Sequence, residues 1–361
     1  MTPLPQLLQE AGEDLKAGKT QDAETVLQKA AILYPDNFQV AMALTTTAMA
    51  LDHYQIMADS ASKAVTLNEN SPQAYYFLAY AQNRLKNYSE AQVAISHSLA
   101  IMPELPSDLL SGDIYGSLEQ YHNAINAYQN AIGQDPDNLD AHLSIASIYA
   151  QLNDNQDSLE EYKASDLILG QTQGITPEVK TELEHQIVSG EAIAYANLGR
   201  TSTANKLLNP LIDVKKPSKN SLSTLANLYD IEHRYPEAIK VYQQLEQIDP
   251  NDAVMWGNLG WVEYEDGNYA DALKYSEKAL SIDKTLSYVQ FNIGLIRAVQ
   301  GSSYLSATAY KSAVKESYPF DIQSGANDVM HALKSQPNNQ ALKNSLKYLE
   351  DAVISKSENG G

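Results

Sequence analysis

Residues 220–252 read NSLSTLANLYDIEHRYPEAIKVYQQLEQIDPND, and residues 253–285 read AVMWGNLGWVEYEDGNYADALKYSEKALSIDKT. Laid over each other at a shift of 34 residues, Leu225 falls on Leu259, Ala226 on Gly260, Tyr235 on Tyr269, Ala238 on Ala272, and Ile248-Asp249 on Ile282-Asp283. A fixed period of this length, with a helix–turn–helix pattern in each copy, marks stacked repeats that bury their apolar faces against one another.

Taking Ala253 as position 1 and moving by the period in both directions gives nine segments, starting near Leu4, Phe38, Pro72, Leu105, Leu139, His185, Lys219, Ala253 and Ser287. Position 8 holds Ala11, Thr45, Ala79, Gly112, Ala146, Ala192, Ala226, Gly260 and Gly294; position 20 holds Ala23, Met57, Ala91, Ala124, Ser158, Ala204, Ala238, Ala272 and Ser306. Small side chains at two fixed sites let one helix touch the backbone of its partner. The tyrosines keep the same register. Tyr88, Tyr121, Tyr235 and Tyr269 open second helices, and Tyr128, Tyr162, Tyr242 and Tyr310 sit further along them, where rings fill the seam of a pair. Pro35, Pro103, Pro136 and Pro250 follow second helices, and Gly199, Gly267 and Gly301 fall in the turn inside a repeat, where positive φ is cheap for glycine.

These residues make residues 4–320 resemble the tetratricopeptide-repeat family, least in the second segment, where Thr45 and Met57 replace small residues. The resemblance implies an all-α fold, a right-handed superhelical solenoid of antiparallel helix pairs.

Two departures bear on organisation. About a dozen extra residues precede His185; Gly170 and Gly174 bracket a polar loop, then Thr176, Pro177 and Glu178 read as N-cap, first-turn proline and dipole-matched acid. The helix there is expected to begin early. Pro210 falls inside an expected second helix and is followed by the basic run Lys215-Lys216-Pro217-Ser218-Lys219, so a hinge is expected in this region. The expected organisation is an N-terminal block at 4–172, an insertion at 173–184, a C-terminal block at 185–320, capping helices at 321–356 with the stripe Leu342, Leu346, Leu349 and Val353, and a disordered tail at 357–361.

The chain has 361 residues and a formal net charge of −20, which disfavours the polyanions, nucleic acid and acidic membrane, and favours basic or neutral partners. Cysteine is absent, which excludes disulfides and thiolate metal sites. No apolar run reaches the roughly 18–20 residues of a membrane span, so no membrane insertion is expected. The N-terminal stretch MTPLPQLLQEAGEDL lacks the cationic start and apolar core of a signal peptide. A cytoplasmic protein is expected, with a periplasmic protein freed of its leader as the alternative.

Catalytic chemistry finds no foothold in the pattern. Gly18-Lys19-Thr20 imitates the end of a phosphate loop, but the upstream glycine position is Glu13. His53, His97, His122, His142, His185, His233 and His331 fall in different segments, with no i, i+4 pair and no HExxH. There is no GxSxG, and Asn87-Tyr88-Ser89 is a lone sequon. No enzyme activity, cofactor or metal is expected.

In the family, ligands usually lie along the concave surface made by first helices, on positions 2, 5, 9, 12 and 13. Here the third segment offers Gln73, Tyr76, Tyr80, Asn83 and Arg84; the seventh Asn220, Ser223, Asn227, Asp230 and Ile231; the eighth Val254, Gly257, Trp261, Tyr264 and Glu265; the ninth Tyr288, Phe291, Leu295, Ala298 and Val299. The family's cluster of cations that clamps a chaperone's terminal carboxylate is missing, because Lys16 and Arg84 stand alone among these positions. What remains is aromatic: Trp261, Tyr264, Phe291 and Leu295, with Glu265, Asn227 and Asp230 nearby, and a second group of Tyr76, Tyr80, Asn83 and Arg84. Aromatics in a groove anchor extended segments or amphipathic helices. The expected function is a non-catalytic scaffold that captures a protein segment, apolar with a basic flank, in a preformed groove; self-association is left open. The alternatives are an envelope-assembly or polysaccharide-export factor, and a regulatory array of an enzyme such as a glycosyltransferase.

Overall fold

The computed structural model describes residues 2–212, 214 and 217–359. Among the described residues there are twenty α-helices and no strand. The chain divides into two compact units, Met1–Ile148 and Tyr149–Gly361.

In the first unit α1 (Leu4–Lys16) packs with α2 (Thr20–Leu33), α3 (Phe38–Ala50) with α4 (Tyr54–Leu67), α5 (Pro72–Arg84) with α6 (Tyr88–Ile101), and α7 (Leu105–Ser117) with α8 (Tyr121–Gln134). Helix α9 (Leu139–Gln151) crosses the division. In the second unit α10 (Asn155–Gln171) packs on α11 (Pro177–Asn197), and α11 on α12 (Thr201–Ile212). The pairs α13 (Lys219–Ile231) with α14 (Tyr235–Ile248), α15 (Ala253–Glu265) with α16 (Tyr269–Ile282), α17 (Ser287–Val299) with α18 (Ser303–Glu316), and α19 (Pro319–Ser335) with α20 (Gln340–Asn359) follow. Eight of the nine segment starts inferred from the period coincide with helix starts; the ninth, His185, lies inside α11.

The turns explain why the pairs repeat so regularly. Position 15 has positive φ in all nine segments: Gly18, Asp52, Lys86, Glu119, Asn153, Gly199, His233, Gly267 and Gly301. The amide of the next residue then reaches back five residues, as His53 N–H does to the Ala48 carbonyl and Arg234 N–H to that of Tyr229, at 2.9 and 2.7 Å. This closes the helix in a Schellman turn and satisfies orphan carbonyls. Glycine makes this turn without strain; the five other residues hold the left-handed conformation because the stacked helices leave no alternative. First helices are capped at the other end: Asn37, Ser71, Ser218 and Asp252 accept a hydrogen bond from the amide three residues on.

Packing within a pair runs over the small positions. A Cβ at Gly260 would stand 2.6 Å from the Ser276 hydroxyl, and one at Gly112 would stand 2.5 Å from the Tyr128 ring. Tyr128, Tyr162, Tyr242 and Tyr310 are buried in the seams. In the second segment Thr45 and Met57 are fully buried, and the Thr45 hydroxyl is satisfied by the Ala41 carbonyl and Ser60, both at 2.9 Å.

Helix α11 has 21 residues and begins at Pro177, with Thr176 accepting the Val179 amide at 3.4 Å. Pro210 sits inside α12, which ends two residues later at Ile212; Lys215 and Lys216 lie outside the described residues. The expected block boundary after residue 172 and the division after Ile148 are different cuts. Leu342 and Leu349 are buried, with Leu346 and Val353 packed beside them on α17–α18. Helix α20 runs to Asn359, and residues 360 and 361 of the expected tail lie outside the described residues.

Candidate functional site

In the second unit the first helices α13, α15 and α17 stack in register, so equal positions lie along one face. Asp230 from α13, Trp261, Tyr264 and Glu265 from α15, and Leu295 from α17 meet around a cavity of about 260 Å³. Ile231, His233 and Tyr235 complete one wall, and Asp328 and His331 from α19 complete the other.

The walls are aromatic and acidic. The Trp261 and Tyr264 rings lie 5.3 Å apart, and Tyr264 is 5.8 Å from Tyr269. The Tyr235 hydroxyl donates to a Glu265 carboxylate oxygen at 3.3 Å, and His233 Nδ1 lies 2.8 Å from that hydroxyl. Burial, then the neighbouring Glu265 charge, pushes the Asp230 carboxyl up to about 6; His233 draws it partly back. Asp328 is pushed up to about 6 by the same two causes in the same order. Burial and then Glu265 push the Tyr235 phenol to about 12, and Tyr264 also rises, burial first. Among the described residues no lysine or arginine lines the cavity, and no three His, Asp or Glu side chains are placed to hold a metal ion.

The sequence reading named five of these lining residues in its site, and the structure brings them together. It corrects Phe291, which is 4% exposed and lies beneath α19 against Tyr310 and Gly325. Docking of α19 covers that ring, so it serves the core rather than a groove. Leu295 is buried too, with one edge on the cavity. Asn227 lies one turn before Asp230 and accepts from the Tyr242 hydroxyl at 3.4 Å, outside the cavity lining.

In the first unit Tyr76 and Tyr80 lie 6.5 Å apart, and Tyr54 lies 6.4 Å from Tyr80. The Arg84 guanidinium sits 5.0 Å over the Tyr54 ring, while the Tyr54 hydroxyl donates to Asp52 at 2.5 Å. The Arg84 cation is thus held by its own chain. The Asn83 side-chain amide oxygen, Oδ1, is buried without a hydrogen-bond partner. On α7, Asp113 accepts from the Tyr128 hydroxyl at 2.6 Å, and burial raises its carboxyl.

Position rules for first helices missed Tyr235, His233, Asp328 and His331. His233 belongs to a turn, and Tyr235 to a second helix. Asp328 and His331 stand three residues apart on one face of α19, a signal visible in the sequence, but nothing local says that this face meets α13 and α15.

The family descriptions "TPR repeat" and "Tetratricopeptide repeat" match residues 112–153 and 224–286. The chain is 23% identical over 248 residues to the human protein O-mannosyl-transferase TMTC3, covering 64% of this chain and 26% of that protein. It is 23% identical over 276 residues to TPR repeat-containing protein MJ1428 of Methanocaldococcus jannaschii, covering 76% of this chain and 42% of the relative. The chain therefore spans less than half the length of these curated relatives. The crystal structure of a tetratricopeptide repeat protein from Parabacteroides merdae superimposes with a TM-score of 0.53 at 15% identity, over 77% of this chain and 98% of that one, a likeness of fold alone. With the 34-residue register, the small residues at positions 8 and 20 and the repeated Schellman turns, these matches identify the chain as a tetratricopeptide-repeat protein.

Proposed function

We propose that the array is a non-catalytic protein-interaction scaffold, and that the face made by α13, α15 and α17 captures an extended segment or amphipathic helix of a partner protein. The observation that supports this reading most is the open cavity beside Trp261 and Tyr264, two half-buried aromatic rings on a rigid helix face. Rings held in place cost little entropy on binding, so a preformed array binds a segment without first ordering itself. The partner segment is apolar with a basic flank, since the wall facing it carries Asp230, Glu265 and Asp328. Selection of random dodecapeptides on the intact chain tests this. Binders that lose at least roughly tenfold in affinity on Trp261→Ala, with helical content unchanged, support it. Binders indifferent to that substitution overturn it.

A second reading makes the array the regulatory part of a glycosyltransferase. The similarity to TMTC3 favours it. Co-purification of this chain with a mannosyl-transfer activity would support it, and a catalytically silent set of partners would remove it.

A further inference from the structure

We infer that the cavity between α13, α15 and α19 receives a guanidinium group, the side chain of an arginine in the captured segment. This rests on the groove reading above and names the chemistry that the cavity selects.

Three carboxylates converge there from three helices: Asp230, Glu265 and Asp328. Glu265 is met by the Tyr235 hydroxyl, but no lysine or arginine among the described residues lines the space. Half-buried carboxylates without a cationic partner disfavour the folded state, and such groups cluster at functional sites. Burial, then the Glu265 charge, raises the Asp230 and Asp328 carboxyls.

A second observation lies beside the same space. Tyr310 on α18 is 0% exposed, and its hydroxyl has no hydrogen-bond partner among the described residues. After burial, the groups that raise this phenol most are Asp328 and Tyr264, both of which line the cavity. An unsatisfied buried hydroxyl is costly unless something comes to meet it.

The occupant is chosen by shape as well as charge. The half-buried rings of Trp261 and Tyr264 offer π-faces beside the carboxylates. A guanidinium is planar, stacks on such rings and carries five donors in a fixed fork, enough to serve several carboxylates at once. A lysine ammonium has three donors and no face to stack. The chain's nearby arginine is engaged elsewhere: Arg234 pairs with Glu232 and Glu237 and covers the Tyr229 ring at 4.4 Å.

The probe is acetyl-Leu-Arg-Leu-amide, titrated into the full chain beside the same peptide carrying citrulline, the neutral isostere of arginine. The indole N–H resonances report, because Trp261 borders the cavity while Trp256 is buried and bonded to the Pro250 carbonyl. The expected result is saturable movement of the Trp261 signal with the arginine peptide, at least tenfold weaker with citrulline, and at least tenfold weaker for the double variant Asp230→Asn/Asp328→Asn. Equal affinity for the two peptides, unchanged affinity of the double variant, or a Trp261 signal unmoved at millimolar peptide overturns the inference. Dodecapeptides that bind in a Trp261-dependent way, yet gain nothing from arginine, overturn the inference and leave the groove reading standing. Absence of any Trp261-dependent binder overturns both.

Discussion

The ring of Tyr310 on α18 lies so close to Gly294 on α17 that a Cβ there would stand 2.8 Å from it. Tyr128 and Gly112 stand in the same relation in the first unit, at 2.5 Å. A ring from the second helix occupies the space that the first helix leaves by having no side chain, and the two helices approach closely. In both glycines a methyl group would meet a buried ring that has no room to withdraw. Gly112→Ala should therefore destabilise the chain by about 1–3 kcal/mol, although alanine favours helix intrinsically. Chemical denaturation checks this, and an unchanged or raised midpoint contradicts the seam argument.

The positive-φ turns predict the opposite sign. Lys86 has φ 64° and an exposed side chain, at the position filled by Gly18 or Gly267 in other repeats. Lys86→Gly removes the left-handed strain at the cost of a more flexible unfolded chain, and should stabilise by roughly 0.5–1 kcal/mol. A thermal melt of the single variant is sufficient to check it.

The acidic cavity makes folding depend on pH. Asp230 and Asp328 rise from an ordinary 3.8 to about 6 in the folded chain, so folding disfavours their charged forms. Their contribution is most favourable when both are protonated, and it is lost as pH rises through about 6. Asp230→Asn/Asp328→Asn should therefore melt higher than the parent at pH 7.5, with the gap closing toward pH 4.5. A gap that widens on acidification would mean that the carboxylates are paired in the fold.

Capture should weaken on acidification for the same reason. Below about pH 6 Asp230 and Asp328 lose charge, while the raised phenols of Tyr235, Tyr264 and Tyr310 stay neutral; His233 and His331 complete the titratable lining. Affinity for the arginine peptide should fall as pH is lowered from 7.5 to 5, measured by titration at constant salt, and a flat profile would contradict it.

The two tryptophans should separate stability from binding. Trp256 is 1% exposed, donates to the Pro250 carbonyl at 2.9 Å and carries Lys278 over its ring at 3.3 Å. Trp256→Ala should cost about 3–5 kcal/mol of stability. Trp261 is half-buried beside the cavity, so Trp261→Ala should cost clearly less stability than that and act on capture instead. Denaturation and peptide titration on both variants provide the comparison.

The sequence by itself determined the repeat register and, through it, the helix starts at Phe38, Pro72 or Ala253 and the small contacts at Gly112 and Gly260. That information is local and repeated: each helix pair meets the same demands, so the same residue types recur 34 positions on. It also placed Asp230, Trp261, Tyr264 and Glu265 on one face, because stacked repeats align equal positions. Tertiary structure alone decided the rest. Whether Phe291 faces a groove or a core depends on α19 docking over it, and Gly325 is what permits that approach. The carboxylates of Asp230 and Asp328, 98 residues apart, face one cavity only because α13, α15 and α19 stack as they do. No periodic pattern encodes that meeting, since Asp328 belongs to a capping helix that is not held to the repeat, and its burial and charge coupling exist only once the helices have closed on one another.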